Sequence, residues 1–390
     1  MKTLLTRTRV LESIVGTTIL SAFAALHILP MAACAASEEV RPDDTPEVAS
    51  TLDAGNQPPI ADDAAASPDQ CEIGNLCRVA TPLTLGSILA LAGRSKDDVW
   101  ASASRSLMLH WDGDQWRSLE TPAVNWSTGQ SVTNLFLTPT ETWGVAGLVL
   151  MRREIDPSTV VQTNLTSVKG GLGIGATFSG IAVLSDGAIY TGNAPGFVNG
   201  GKDTTITQIL GSFDPSTTRY TVAAGARIPN STQDEKMAIR SMYLVPNKYL
   251  WLVGDHGCVA RYEVPPVGPG VAMALDSQVA LQAAWGHDDH VWVAGKRGTI
   301  LHYDGSAWNA QPSGTSVDLN AIFGVAPDDI WAAGDAGVVL HFDGMQWHTI
   351  PIPGYSGNLM AIWGSGPDDV WIGGESGMFH WGPIHPGSVQ

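Results

Sequence analysis

The chain has 390 residues, 44% of them hydrophobic, only 15% charged, and a formal net charge of −17. That apolar content excludes an intrinsically disordered chain. The acidic balance makes nucleic acid and anionic lipid poor partners, because both repel a negative surface.

Residues 1–34 read as a signal peptide. Lys2, Arg7 and Arg9 form a basic start, Ile14–Leu29 is apolar, and Met31-Ala32-Ala33-Cys34 is a small-residue cleavage region. The apolar run is shorter than the roughly 20 residues that span a bilayer, which argues against an uncleaved anchor. Small residues before a cysteine resemble a bacterial lipobox, which implies lipidation of Cys34 after cleavage. Plain cleavage nearby is the alternative, because Ala33-Cys34-Ala35 also fits the small-x-small pattern. Loss of residues 1–33 would move the formal charge from −17 to −19, since Lys2, Arg7 and Arg9 leave with Glu12.

Residues 35–70 hold nine acids against the single base Arg41, with many Ala and Pro and no aromatic. Such a stretch cannot bury enough apolar surface to fold and is expected to be a disordered, extended tether. Cys71 and Cys77 then sit close together in an exported chain, and a small disulfide loop between them is expected. Cys258 is expected to be a buried thiol.

A phrase of about 40 residues recurs along the chain, clearest at 281–314, 319–354 and 359–381. One copy reads as four short strands: Leu319–Phe323, Asp329–Ala333, Val338–Phe342, and a fourth starting at Trp347. Pro-Asp-Asp, Gly-x-x-Gly and Asp-Gly supply the turns between them. The strand faces are nearly all apolar, as expected for a sheet covered on both sides. A tryptophan in the second strand marks the copies at Trp100, Trp143, Trp251, Trp292, Trp331 and Trp371, with steps of 43, 108, 41, 39 and 40 residues. The long step hides a degenerate copy with Tyr190 in the tryptophan slot. Self-similarity at this period predicts an all-β, seven-bladed β-propeller of four-stranded blades over residues 71–382, with 383–390 as a tail. The last copy lacks a fourth strand, and residues 77–82 resemble one. They are expected to complete the last blade by pairing with 377–381, which removes an open sheet edge.

The turn Trp111-Asp112-Gly113-Asp114-Gln115-Trp116 resembles that of exported bacterial seven-bladed propeller proteins with WD-like or Asp-box-like repeats. The resemblance covers residues 77–381 and implies a fold, not an activity.

Two sets of residues look chemical but recur with the repeat. His110, His302, His341 and His380 fill one slot in different blades and cannot converge on one ion. Asp97-Asp98, Asp288-Asp289, Asp328-Asp329 and Asp368-Asp369 share the first hairpin, where aspartates are expected to cap turn amides. The string His287-Asp288-Asp289-His290 is that same hairpin with histidines substituted. No nucleophile elbow, zincin, Walker or dinucleotide motif occurs in a usable context. No catalytic residue, metal or cofactor is assigned.

The irregular insertions, 165–178, 194–206 and 226–238, fall in connections on the propeller face that also carries the turns from strand two to strand three. Loops on a rigid scaffold are where binding is usually built. The candidate binding face is therefore Arg105, Lys202, Asp203, Arg227, Asp234, Glu235, Lys236, His256, Lys296 and Arg297; neutral drift of exposed loops is the alternative. Trp126 and Tyr355 fall outside the repeating slots. The sequence thus reads as a monomeric, non-catalytic binding or scaffold protein at the bacterial cell envelope, held by an N-terminal lipid, with a protein or extracellular glycan as partner. A periplasmic or secreted form, and a glycan hydrolase or lyase with its site at the channel mouth, are the alternatives.

Overall fold

In the computed structural model the described residues are 75–83, 86–119, 131–146, 149–154, 160–164, 177–183, 189–194, 206–214, 219–223, 239–264, 271–273, 275 and 278–383. They form an all-β propeller of four-stranded antiparallel blades, seven sheets among the described residues. The first blade runs Ile88–Ser95, Asp98–Ala103, Leu107–Trp111 and Trp116–Leu119. The second runs Asn134–Leu137, Glu141–Ala146, Val149–Glu154 and Val160–Asn164. The third, the degenerate copy, runs Thr177–Val183, Ile189–Ala194, Ile206–Asp214 and Arg219–Ala223. The fourth is Ile239–Val245, Tyr249–Gly254, Val259–Glu263 and Val271–Met273. The fifth is Leu281–His287, His290–Gly295, Ile300–Tyr303 and Trp308–Gln311. The sixth is Leu319–Ala326, Asp329–Gly334, Val339–Phe342 and Trp347–Ile350.

The last sheet takes three strands from the C-terminal end, Leu359–Gly366, Asp369–Gly374 and Gly377–Trp381, and its fourth, Leu76–Arg78, from the N-terminal side. The register is antiparallel, with Leu76 opposite Trp381, Cys77 opposite His380 and Arg78 opposite Phe379. The expected strand 77–82 is thus shorter and starts one residue earlier. Past Arg78 a single bond continues it, Val79 N–H to the Met378 carbonyl at 2.8 Å. The Arg78 guanidinium donates to the Ser376 carbonyl at 2.6 Å. Cys77 is disulfide-bonded and Cys258 is a buried thiol outside any disulfide. Cys71 and Cys34 lie outside the described residues, as do the signal peptide, the linker and residues 384–390.

The first strands touch one another in cyclic order, blade one against two and onward to blade seven, which touches blade one again. The buried clusters lie between sheets, not within them. Trp331 and Val339 of the sixth blade pack with Leu359, Ile372 and Phe379 of the last. Trp285 and Trp292 of the fifth pack with Ile322, Ile330 and Leu340 of the sixth. Trp371 and Met378 of the last pack with Ile88, Val99 and Trp111 of the first. Among the described side chains each of these sheets is covered by its neighbours, which is why its strands read as apolar on both faces.

The second and third strands join through a tight turn. In the sixth blade Ala336 (φ 55°) and Gly337 (φ 71°) are both left-handed, and Val338 N–H closes on the Asp335 carbonyl at 3.2 Å. That is a type I′ turn, whose twist matches the flanking strands. Gly334 just before it is required by proximity, because a Cβ there would collide with the Asp318 carbonyl oxygen. The turn after the third strand is held by its aspartate. Oδ1 of Asp343 accepts the amides of Met345 (2.9 Å) and Gln346 (2.8 Å), and Oδ2 accepts from His348 at 2.8 Å. Asp112 and Asp304 bond their own turns in the same way, with Arg117 and Asn309 in place of His348.

In blades one, six and seven the second aspartate of the first hairpin does something other than cap turn amides. Asp329 Oδ1 accepts the Trp331 indole N–H at 2.9 Å and bonds His341 Nε2 at 2.8 Å. The His341 ring stacks on Trp331 with centroids 4.2 Å apart. Asp98 holds Trp100 and His110 at 2.8 Å each. Burial by itself would raise the Asp98 pKa, but hydrogen bonds from His110, Arg94 and Trp100 outweigh it and lower it to about 2. Asp369 bonds His380 at 2.7 Å. The hairpin aspartates therefore anchor strands two and three from inside the blade. Repetition of the histidine slot reflects this structural bond.

Two outcomes check this account. Deleting residues 71–83 should open the ring and produce aggregation on size-exclusion chromatography; unchanged monodispersity and melting would refute closure by this strand. Asp329→Ala should destabilise by about 2–3 kcal/mol in denaturant unfolding, because it orphans a buried indole N–H and an imidazole. A loss below about 0.5 kcal/mol, ordinary for a surface change, would contradict the anchoring role.

Candidate functional site

The Asp-x-Trp…His unit follows from the blade's register. The tryptophan faces the histidine across the pair of strands two and three (Trp331 with His341, Trp371 with His380), and the aspartate two residues earlier lies on the same strand face. One carboxylate therefore reaches both donors. Blades one and six keep the whole unit. In blade seven Asp369 holds His380, while the Trp371 indole N–H is buried without a partner.

Four blades depart from the unit. In the second, Glu141 takes the aspartate's place and accepts the Trp143 indole N–H at 2.9 Å, with Arg152 opposite Trp143; in the third, Tyr190 stands in the tryptophan slot opposite Gln208. The fourth and fifth, which adjoin, also lose the acidic residue. In the fourth, Tyr249 stands in the aspartate slot and Arg261 in the histidine slot, directly opposite Trp251. The Arg261 guanidinium lies 4.4 Å from the centroid of the Tyr249 ring and 5.6 Å from that of Trp251. Among the described residues no carboxylate forms an ion pair with it. In the fifth, His290 replaces the aspartate. Its Nδ1 lies 3.0 Å from His302 Nε2, the His302 ring stacks on Trp292 at 4.1 Å, and the buried Trp292 indole N–H has no acceptor. Burial and the neighbouring His290 lower the His302 pKa, against an opposing pull from Asp304.

Between these two blades lies a cavity of about 560 Å³, lined by Tyr249, Trp251, Arg261, Asp288, Asp289, His290, Asp304 and Gly305. Trp251 forms its floor and is 1% exposed; the aspartates and His290 are on the surface. Asp288 lies 3.3 Å from His287 Nδ1 and Asp289 lies 3.5 Å from Lys248 Nζ. The Asp304 carboxyl is held well below the usual range by the Ala307 and Ser306 amides and the Ser306 hydroxyl, so it stays ionised. Among the described residues no three His, Cys, Asp or Glu side chains gather as a metal site.

The cavity opens among the hairpins joining strands one to two and three to four. The candidate face read from the sequence is the opposite edge of the blades. Of its residues, Arg105, His256 and Arg297 take the same left-handed position (φ 62°, 55° and 57°) in the turns of blades one, four and five. These three are exposed, and the repeat distributes them around the ring. Lys296 Nζ lies 3.5 Å from Asp318, and the Arg297 amide donates to the same carboxylate at 2.9 Å. Lys202, Asp203, Arg227, Asp234, Glu235 and Lys236 lie outside the described residues, as does Trp126. Tyr355 is structural: its hydroxyl donates to the Glu375 carbonyl at 2.7 Å and its ring meets Phe379 edge-on at 4.7 Å. Sequence reasoning passed over Tyr249 and Arg261, although aligning Tyr-Leu-Trp with Asp-Ile-Trp would have shown both slots substituted.

No protein-family model and no curated protein matches this chain. Solved structures do. YCF48 from Cyanidioschyzon merolae superposes with a TM-score of 0.61 at 14% identity, covering 80% of this chain and 100% of that one. YCF48 bound to a peptide gives 0.60 at 16% identity, covering 80% and 98%. A catalytically inactive virginiamycin B lyase from Staphylococcus aureus, with quinupristin, gives 0.63 at 15% identity, covering 78% and 98%. At these identities the likeness is one of fold: the chain is similar to a peptide-bound propeller and to a lyase, and its own chemistry rests on its own residues.

Proposed function

We propose that this chain is an exported, lipid-anchored, seven-bladed propeller that serves as a non-catalytic binding or scaffold module at the bacterial cell envelope. Its binding site is the cavity between the fourth and fifth blades. The supporting observation is that the residues replacing the unit's aspartate and histidine in two adjoining blades, Tyr249 and Arg261 in the fourth and His290 in the fifth, line that cavity. With His290 in the aspartate slot the buried Trp292 indole N–H has no acceptor, at a cost of about 1–3 kcal/mol. The peptide held by YCF48 is a precedent for a propeller of this shape acting by binding. Cys34 would carry the lipid, the acidic stretch 35–70 would hold the propeller off the membrane surface, and Cys77 would pair with Cys71.

His290→Asp restores the repeat. It should raise stability by about 1 kcal/mol in denaturant unfolding, by supplying an acceptor to Trp292 and His302, and should also weaken capture of partners in a cross-linked pull-down from envelope extract. A stabilised variant with unchanged capture would remove this cavity from the function. For the anchor, Cys34→Ser should move the protein from the membrane to the soluble fraction; retention in the membrane would exclude lipidation at that residue.

A further inference from the structure

The geometry points to a neutral saccharide as the ligand of the cavity between the fourth and fifth blades. This rests on the reading of that cavity as the binding site and narrows it to one chemistry.

Charge balance comes first. Asp288 has His287 beside it, Asp289 has Lys248, and Asp304 spends Oδ1 on two turn amides and Oδ2 on Asn309. Arg261 adds a fixed positive charge at the same wall. A strongly anionic ligand would face three carboxylates, whereas a neutral ligand meets like charge on neither side of the wall. A cationic ligand, drawn by the carboxylates and opposed by the guanidinium, is the rival that the lysine-rich peptide arm tests.

The absence of an open apolar anchor comes next. Trp251 is buried, and the Tyr249 ring carries the Arg261 guanidinium on its face. The large hydrophobic side chains that stand exposed among the described residues are Val271 and Met345, and neither lines the cavity. Protein partners draw most of their affinity from aromatic or aliphatic anchors seated in pockets, and this wall offers them no seat.

What the wall does offer is donors beside acceptors. The Arg261 guanidinium, held over the Tyr249 ring at the cavity wall, carries N–H groups that can donate. The exposed Asp288 and Asp289 carboxylates accept. A sugar presents adjacent hydroxyls that each donate and accept, so one ring can satisfy both sides without bringing a net charge. The volume of about 560 Å³ lies within the range of small-ligand sites.

The test is to probe the labelled full chain against an array of neutral hexose and N-acetylhexosamine oligosaccharides. Uronic-acid, sulfated and sialylated glycans and lysine-rich peptides form the other arms, and calorimetry quantifies the hits. At least one neutral saccharide should bind. Arg261→Ala should weaken it about tenfold or more, Arg261→Lys should fail to restore it because the fork is lost, and Met345→Ala, exposed on blade six and outside the cavity lining, should leave it within about twofold. Thermal melts establish that the variants are folded, and Asp289→Asn gives a second readout should Arg261→Ala fail to fold. Binding confined to charged glycans or peptides, no binding at all, or neutral binding indifferent to Arg261 and Asp289 would each overturn the assignment. If partner capture depends on His290 while no saccharide binds, the ligand class is wrong and the binding module stands. If both fail, the cavity itself is not the site.

Discussion

A four-stranded sheet that is apolar on both faces cannot stand by itself. Each sheet here hides its tryptophans and branched side chains only between its neighbours, as Trp331 does against Leu359 and Phe379. Every sheet therefore needs two partners, and a row of such sheets has to curl until its ends meet. The borrowed strand Leu76–Arg78 is the local expression of that demand. Without it the last blade would present the unpaired edge of Gly377–Trp381 to solvent.

In the first and sixth blades the recurring carboxylates, indole and imidazole satisfy one another. One carboxylate takes an indole and an imidazole, another takes two turn amides, and little is left over for chemistry. That self-sufficiency gives the recurring His and paired Asp residues a structural role in the blades that keep the pattern. It also makes an exception informative. In blades four and five the side chains that replace the pattern, Tyr249, Arg261 and His290, line one cavity.

Much of the architecture could be read from local spacing. Trp331, Asp343 and the Gly-Asp-Ala-Gly turn occupy the places that the repeat assigned to them, because strand period and turn chemistry are properties of a few consecutive residues. The histidine slot was recognised as structural for the same reason. The role of Asp98, Asp329 and Asp369 was misread as amide capping. Their true partners lie across the sheet, twelve residues on in the His110 and His341 cases, and which acceptor wins depends on how strands two and three are paired.

The sequence by itself determined the repeat, the strand and turn periods, the degenerate third copy and the need for a closing strand, since all of these follow from patterns along the chain. Only the tertiary structure decided which departures from the repeat matter. Tyr249, Arg261 and His290 belong to different strands and two different blades, and nothing along the chain reports that they face one cavity. That proximity is created by packing blade against blade, where residues far apart in sequence meet across the gap between two sheets.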